Sequence, residues 1–224
     1  DRSLNLFTFQ KFMKRLRKKF TGITIRFYHC GEYGEQFGRP HYHALLFNID
    51  FPDKILWKTE DSISLYRSKI LEKLWPFGHS SIGAVTFSSA AYVSRYILKK
   101  INGKESSEHY RRIDLQTGEV FDIKSEYTTM SRRPGIGSAW YDKYHTDVYP
   151  SDEIIVRGKP MTPPKFYDNK FSVEHPIVFE EIKHKRMLKA LERVDDNTPE
   201  RLVVREKCRQ AFQRSLLRKV DSTT

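Results

Sequence analysis

The sequence predicts an α+β chain: a mainly antiparallel central sheet flanked by helices, followed by a C-terminal helical extension. Three observations lead there. Along the first hundred residues the apolar pattern switches between helical spacing and strand-like runs, in the order helix, strand, strand, helix, strand, helix. The two strongest strand segments are joined by a glycine-rich loop, as in a β-hairpin. From about Val178 onward the chain is rich in Lys, Arg, Glu and Leu, with one break at NTPE.

Residues 8–20, TFQKFMKRLRKKF, put Phe9, Phe12, Met13, Leu16 and Phe20 on one face of an amphipathic helix. The other face carries Lys11, Lys14, Arg15, Lys18 and Lys19, either plainly solvated or set against phosphates, with Lys14 and Lys18 as candidate DNA contacts. ITIRFYHC (23–30) and HYHALLFNI (41–49) are β-branched and aromatic, and they flank the turn-rich GEYGEQFGRP (31–40). Residues 61–74 read as a helix anchored by Leu65, Ile70, Leu71 and Leu74 and stopped at Pro76 and Gly78. SIGAVTF (81–87) reads as a strand, and the following SSAAYVSRYILKK as a helix capped near Ser89. HYRRIDL and EVFDIKSEY around QTG predict a second hairpin, and MSRRPGIG a loop leading into an aromatic segment. Pro150, Pro160, Pro163, Pro164 and Pro176 predict extended connecting chain, and two basic helices follow. The expected division is 1–149, 150–177 and 178–224.

At 224 residues the chain can bury a sizeable core. Its 40 Lys and Arg exceed its 28 Asp and Glu, and the net charge of +12 points to a polyanionic partner, nucleic acid first. Cys30 and Cys208 lie far apart, which excludes a disulfide framework and a C-x-x-C zinc site and fits a reducing cytoplasm. No stretch has the length of a membrane span or the order of a signal peptide. The first residue is Asp1 rather than methionine, so a fragment of a longer protein is expected.

Two stretches carry chemistry. In RPHYHALLFNI (39–49), strand alternation puts His41 and His43 on one face, two residues apart, where both imidazoles can reach one metal ion. If the two strands pair, Glu32 is the nearest carboxylate, with Glu35 as a competing ligand or a solvated loop residue. Two histidines and a carboxylate suit a divalent ion such as Mg²⁺ or Mn²⁺. In AAYVSRYILKK (90–100), Tyr92 and Tyr96 lie within about 40° of each other on a helix, flanked by Lys99 and Lys100. Ala90, Val93, Ile97 and Ile101 form a separate apolar stripe, so the tyrosines are expected to face away from the core. A tyrosine hydroxyl ionises near pH 10 and needs a cation or a metal-bound phosphate to act as a nucleophile.

RPHYHALLF with its preceding GEYG, the helix AAYVSRYILKK and the later YTTMSRRPGIGSAWYDKY together resemble the replication initiators of microviruses, small single-stranded DNA phages, especially the gokushovirus branch. Those proteins are HUH endonucleases. The matches run in order from about residue 4 to 145, and the basic tail is also similar. The resemblance implies that His41, His43 and Glu32 bind the metal and that Tyr92 and Tyr96 are alternating nucleophiles, assisted by Lys99 or Lys100. One tyrosine then nicks the origin and stays on the 5′ end, leaving a 3′-OH for host polymerase. The second tyrosine cuts the regenerated origin, and strand transfer circularises the product. Single-stranded origin DNA, a host helicase and polymerase are the implied partners, in the bacterial host cytoplasm, with no small-molecule cofactor. The family's first motif, an apolar and threonine-rich strand ahead of the basic helix, has no counterpart before DRSLNLF, and truncation accounts for this. Arg132 and Arg133 are candidate DNA contacts in a turn set by Pro134, Gly135 and Gly137. Trp75, Trp140, Tyr141 and Tyr144 are either base-stacking groups or core. Two other readings compete: a non-catalytic basic nucleic-acid-binding protein, and a metallohydrolase whose metal-bound water attacks.

Overall fold

The computed structural model describes residues 3–34, 37–60, 63–114 and 116–215. The chain forms two compact units, Asp1–Ile136 and Gly137–Thr224. As the sequence predicts, it is α+β with an antiparallel central sheet.

Unit 1 opens with α1 (Leu6–Lys19), whose first turn is capped by the Asn5 side chain accepting from the Phe7 amide. Its buried stripe of Phe9, Phe12, Met13 and Leu16 packs with Ile25, Phe51 and Leu71. The central sheet has the order β2–β1–β7, with β1 (Arg26–Tyr33) between β2 (Pro40–Phe47) and β7 (Tyr127–Met130), all antiparallel. The sequence reading places Glu32 in a loop. The structure carries β1 three residues further, because the loop closes only at Gly34, whose amide donates to the Arg39 carbonyl at 3.0 Å.

The segment 61–74 differs from its predicted helix. Its first two residues lie outside the described ones. Residues Ile63–Arg67 form β4, paired with β3 (Ile55–Glu60), and only α2 (Lys69–Leu74) is helical. The alternation of Ile63 and Leu65 with Ser64 and Tyr66 is a strand pattern, and Ser68 stops it by capping α2 through the Leu71 amide at 3.1 Å. The predicted strand 81–87 reduces to a single bridge between Ile82 and Tyr66. Next come α3 (Phe87–Arg95), a 3₁₀ turn Tyr96–Lys99, the short α4 (Ser106–His109), and the expected hairpin as β5 (Arg111–Ile113) and β6 (Val120–Asp122).

Unit 2 holds α5 (Ser138–Val148), hairpin β8 (Ile154–Val156) with β9 (Lys159–Met161), α6 (Lys165–Glu174), α7 (Pro176–Leu191) and α8 (Pro199–Ser215). Residues 150–177, expected as extended chain, thus contain a hairpin and a ten-residue helix. Their prolines stand in β9 and at helix starts, where no backbone N–H is lost from a ladder or helix interior. The two C-terminal helices and their break at NTPE agree with the sequence reading, whose end at Lys219 passes outside the described residues. The core is Tyr141, Val148, Tyr149, Phe171 and Ile182. Beside it Arg186 bridges Asp152 and Asp168, and Tyr149 donates to Asp168 at 2.8 Å.

Candidate active site

The register of the central hairpin builds the site. Glu32 stands directly opposite His41 and Cys30 opposite His43, so all four side chains share one face of the sheet. The other face receives α1: His29 stacks on Phe9 with ring centroids 3.4 Å apart. The sheet thus separates a cluster of imidazoles and a carboxylate from a third imidazole sealed in core.

Glu32 is the centre of the cluster and only 2% exposed. One oxygen, Oε1, lies 3.2 Å from His43 Nε2 and 3.9 Å from His41 Nδ1. The other, Oε2, accepts from the Lys99 ammonium. A carboxylate this deep needs such donors to remain ionised. Gly34 makes the space for His41: a Cβ there would overlap the ring at Cε1 and approach Nδ1 to 2.8 Å. The glycine after Tyr33 is therefore a packing requirement of the histidine.

The second wall is α3 and the 3₁₀ turn. Thr86 and Ser89 close a reciprocal capping box at its start, with the Ser89 amide donating to the Thr86 hydroxyl at 3.1 Å. The Tyr96 ring stacks on His43 at 4.2 Å and 17°, and Tyr92 meets the same imidazole edge-on at 6.5 Å. The Tyr96 hydroxyl donates to the Tyr92 hydroxyl, so both phenolic oxygens meet at one point beside the histidines. Lys99 Nζ lies 5.1 Å over the Tyr96 ring. One expectation is corrected here. The tyrosines do not stand apart from the apolar stripe: Tyr96, 4% exposed, is buried with Val93, Cys30 and Leu45, and Ala90 and Tyr92 pack against that cluster. Three residues apart, Val93 and Tyr96 lie within about 60° on a helix, and the 3₁₀ turn draws such neighbours closer still.

Of the predicted residues, His41, His43, Glu32, Tyr92, Tyr96 and Lys99 come together. Lys100, in extended chain after the turn, is not among the partners that the described residues supply to Glu32. Glu35 lies outside the described residues. Lys14 and Lys18 are exposed on α1, but Arg15 of the same face is structural, donating to the Leu74 carbonyl at 3.0 and 2.7 Å. Arg132 and Arg133 are exposed after β7, in a turn bridged between Arg132 and Gly135. Trp75 packs edge-on against Phe12 and Tyr42, so its role is core. In unit 2 Tyr141 is buried, Tyr144 half-buried, and the exposed Trp140 stacks on Tyr167.

Sequence reasoning passes over two buried groups on β1. Burial, then the nearby His43, lowers the His29 pKa from 6.5 to about 3, which keeps that imidazole neutral. Burial, then the Glu32 charge, pushes the Cys30 thiol up to about 12, so it is no nucleophile. Alternation along β1 is the one sequence signal that distinguishes His29 from the site histidines, since it assigns His29 to the α1 face.

For a metal ion the fit is partial. Among the described residues no three His, Cys, Asp or Glu side chains are already closed around an ion. Yet His43 and His41 approach a single Glu32 oxygen to 3.2 and 3.9 Å. Ligands about 2.0–2.2 Å from a shared ion stand roughly 3 Å from one another, so small side-chain adjustments complete the set.

A histidine–carboxylate cluster on a central antiparallel hairpin, faced by paired tyrosines, in a strongly basic chain, defines the molecule as an α+β protein of the nucleic-acid-processing kind. Residues 1–101 match the family model for replication-associated proteins of the ORF2 type. The chain is 30% identical over 194 residues to replication-associated protein VP4 of Bdellovibrio phage phiMH2K, covering 82% of this chain and 57% of that protein. It is 33% identical over 188 residues to replication-associated protein ORF2 of Spiroplasma virus 4, covering 79% and 54%. A third relative, replication-associated protein ORF4 of Chlamydia phage 1, is 32% identical over 105 residues, 41% of this chain and 24% of that one. The chain belongs to this family of phage replication-associated proteins, in agreement with its microvirus resemblance. It spans about half the length of the first two relatives. No solved structure matches it at a significant level.

Proposed function

We propose that the chain is the nicking and strand-joining part of a phage replication initiator, acting on single-stranded origin DNA through Tyr92 and Tyr96. The observation that carries this reading is the meeting of the two tyrosine hydroxyls beside His43, on the sheet face that also holds His41 and Glu32.

In this reading a phenolic oxygen attacks the scissile phosphorus. The Oη–P bond forms as the P–O3′ bond breaks, and the phenolic proton ends on the released 3′-OH, which is left for the host polymerase. Tyr92, half-buried where Tyr96 is buried, is the first nucleophile. Tyr96 hydrogen-bonds that oxygen, holds it in place, and acts in the second cut. The new 3′-OH then attacks the first phosphotyrosine and joins the strand. The Lys99 ammonium supplies positive charge beside the reacting oxygens while it holds Glu32. Glu32, His41 and His43 are the residues that would hold Mg²⁺ or Mn²⁺, which when bound polarises a phosphate and neutralises charge on its oxygens. Family membership supports the replication role. No helix among the described residues is long and apolar enough to cross a membrane, and action in the bacterial host cytoplasm is part of the proposal.

Incubation with single-stranded oligonucleotides from the parent genome's origin, plus Mg²⁺ or Mn²⁺, is expected to give a DNA-linked protein band. The band should vanish in Tyr92→Phe/Tyr96→Phe, and in His41→Ala or His43→Ala with binding retained. An adduct that survives the double tyrosine change sinks the reading. Nicking without an adduct would instead indicate attack by a metal-bound water.

A further inference from the structure

At the far end of β1 from Glu32, a cleft of about 430 Å³ opens between the end of α1, the start of β1 and the turn after β7. Arg17, Arg26, Arg132 and Arg133 all line it, and no carboxylate does. Neighbouring backbone takes up little of this charge. Arg26 Nη1 reaches the Arg133 carbonyl at 3.4 Å and Arg17 Nη2 the Ile25 carbonyl at 3.5 Å, both long. Arg26 Nη2 is buried with no hydrogen-bond partner among the described residues. A charged donor withdrawn from water without a partner is costly, and guanidinium forks match phosphate oxygens in pairs.

From this we infer that the cleft is a second phosphate-binding subsite, holding the backbone of a single-stranded nucleic acid without reading its bases. Only its relation to the tyrosines rests on the proposed nicking reaction. Glu32 lies six residues along β1 from Arg26, a distance of about 20 Å. A stacked strand rising about 3.4 Å per nucleotide needs about six nucleotides to engage both.

Fluorescence anisotropy with oligothymidylates of about four and about twelve nucleotides, across a salt series, tests this in the chain as it stands. For the longer strand, Arg132→Gln/Arg133→Gln and Arg26→Gln are expected to weaken binding about tenfold at low salt. The slope of log K against log salt should shrink by about 0.7 for each phosphate no longer neutralised, and the advantage of the longer strand should fall. Arg132 and Arg133 are exposed, so the double variant reports on binding and not on folding; thermal melting checks this for Arg26→Gln. A slope and length dependence unchanged in the folded double variant overturn the inference, as does inorganic phosphate competing as tightly as the strand. If the variants lose slope as expected while no protein–DNA adduct ever forms, the subsite stands and the tyrosine reading falls.

Discussion

Gly34 has no room for a side chain, and that single fact ties the loop to the site. Gly34→Ala would push His41 off its place beside Glu32, while leaving the hairpin's pairing and the core clusters untouched. Because His41 is partly exposed, its ring can swing outward, so the variant should fold. Adduct formation and metal response are expected to fall about 10- to 100-fold, the usual effect of disturbing what orients a ligand; a melting curve beside an adduct assay checks both. His29 makes the opposite kind of prediction. Between pH 6.5 and about 3 the unfolded chain binds a proton that the buried imidazole refuses. Stability must therefore fall as pH falls through that window, by at most about 1.4 kcal/mol per pH unit. Urea unfolding across this range should show a shallower pH dependence in His29→Leu than in the parent. At this scale the sequence is legible where residue type and alternation agree, as for His41 and His43. It is silent where the decisive fact is a neighbour distant in sequence. Nothing in the order of residues announces that Lys99 rather than Lys100 reaches Glu32, or that Arg26 shares a cleft with Arg132.

At the scale of elements, α3 depends on a cap that lies outside the motif it presents. Thr86 and Ser89 satisfy each other's backbone amides at the helix start. Thr86→Ala is expected to cost about 1 kcal/mol, read by denaturant melting, and to lower adduct yield by loosening the segment that carries both tyrosines. The elements the sequence reveals are those with a long, regular period: α1, the β1–β2 pair and the two C-terminal helices. Those it conceals are short. Residues 61–74 contain enough leucines and isoleucines for either period, and the hairpin prevails because β3 supplies a partner that local pattern cannot display. The tyrosine stripe is misjudged for a related reason. A uniform 100° step does not anticipate a 3₁₀ turn beginning at Tyr96 itself.

At the scale of the whole molecule, each unit has its own core, and unit 2 adds a polar one. Burial alone would push the Asp168 carboxyl up, but hydrogen bonds from Arg186 and Tyr149 hold it below the ordinary range. Its stabilising contribution is thus complete above the unfolded carboxylate's pKa and is lost as pH falls through the folded one. Arg186→Met leaves Asp152 and Asp168 without their shared donor, and should cost about 1.5–3 kcal/mol, measured by thermal unfolding with near-ultraviolet signals from Tyr149 as the probe.

The central position of β1 has a consequence for how the site fails. This strand is laddered on both sides, to β2 from Arg26 to Tyr33 and to β7 from Tyr28 to Gly31. A slip of one residue would turn Glu32 to the side of α1 and bring His29 out among the site histidines. Two ladders would have to break at once for that to happen. The identity of the working histidines is therefore guarded by strand register, and an insertion or deletion within β1 should be far more damaging than any single substitution on it.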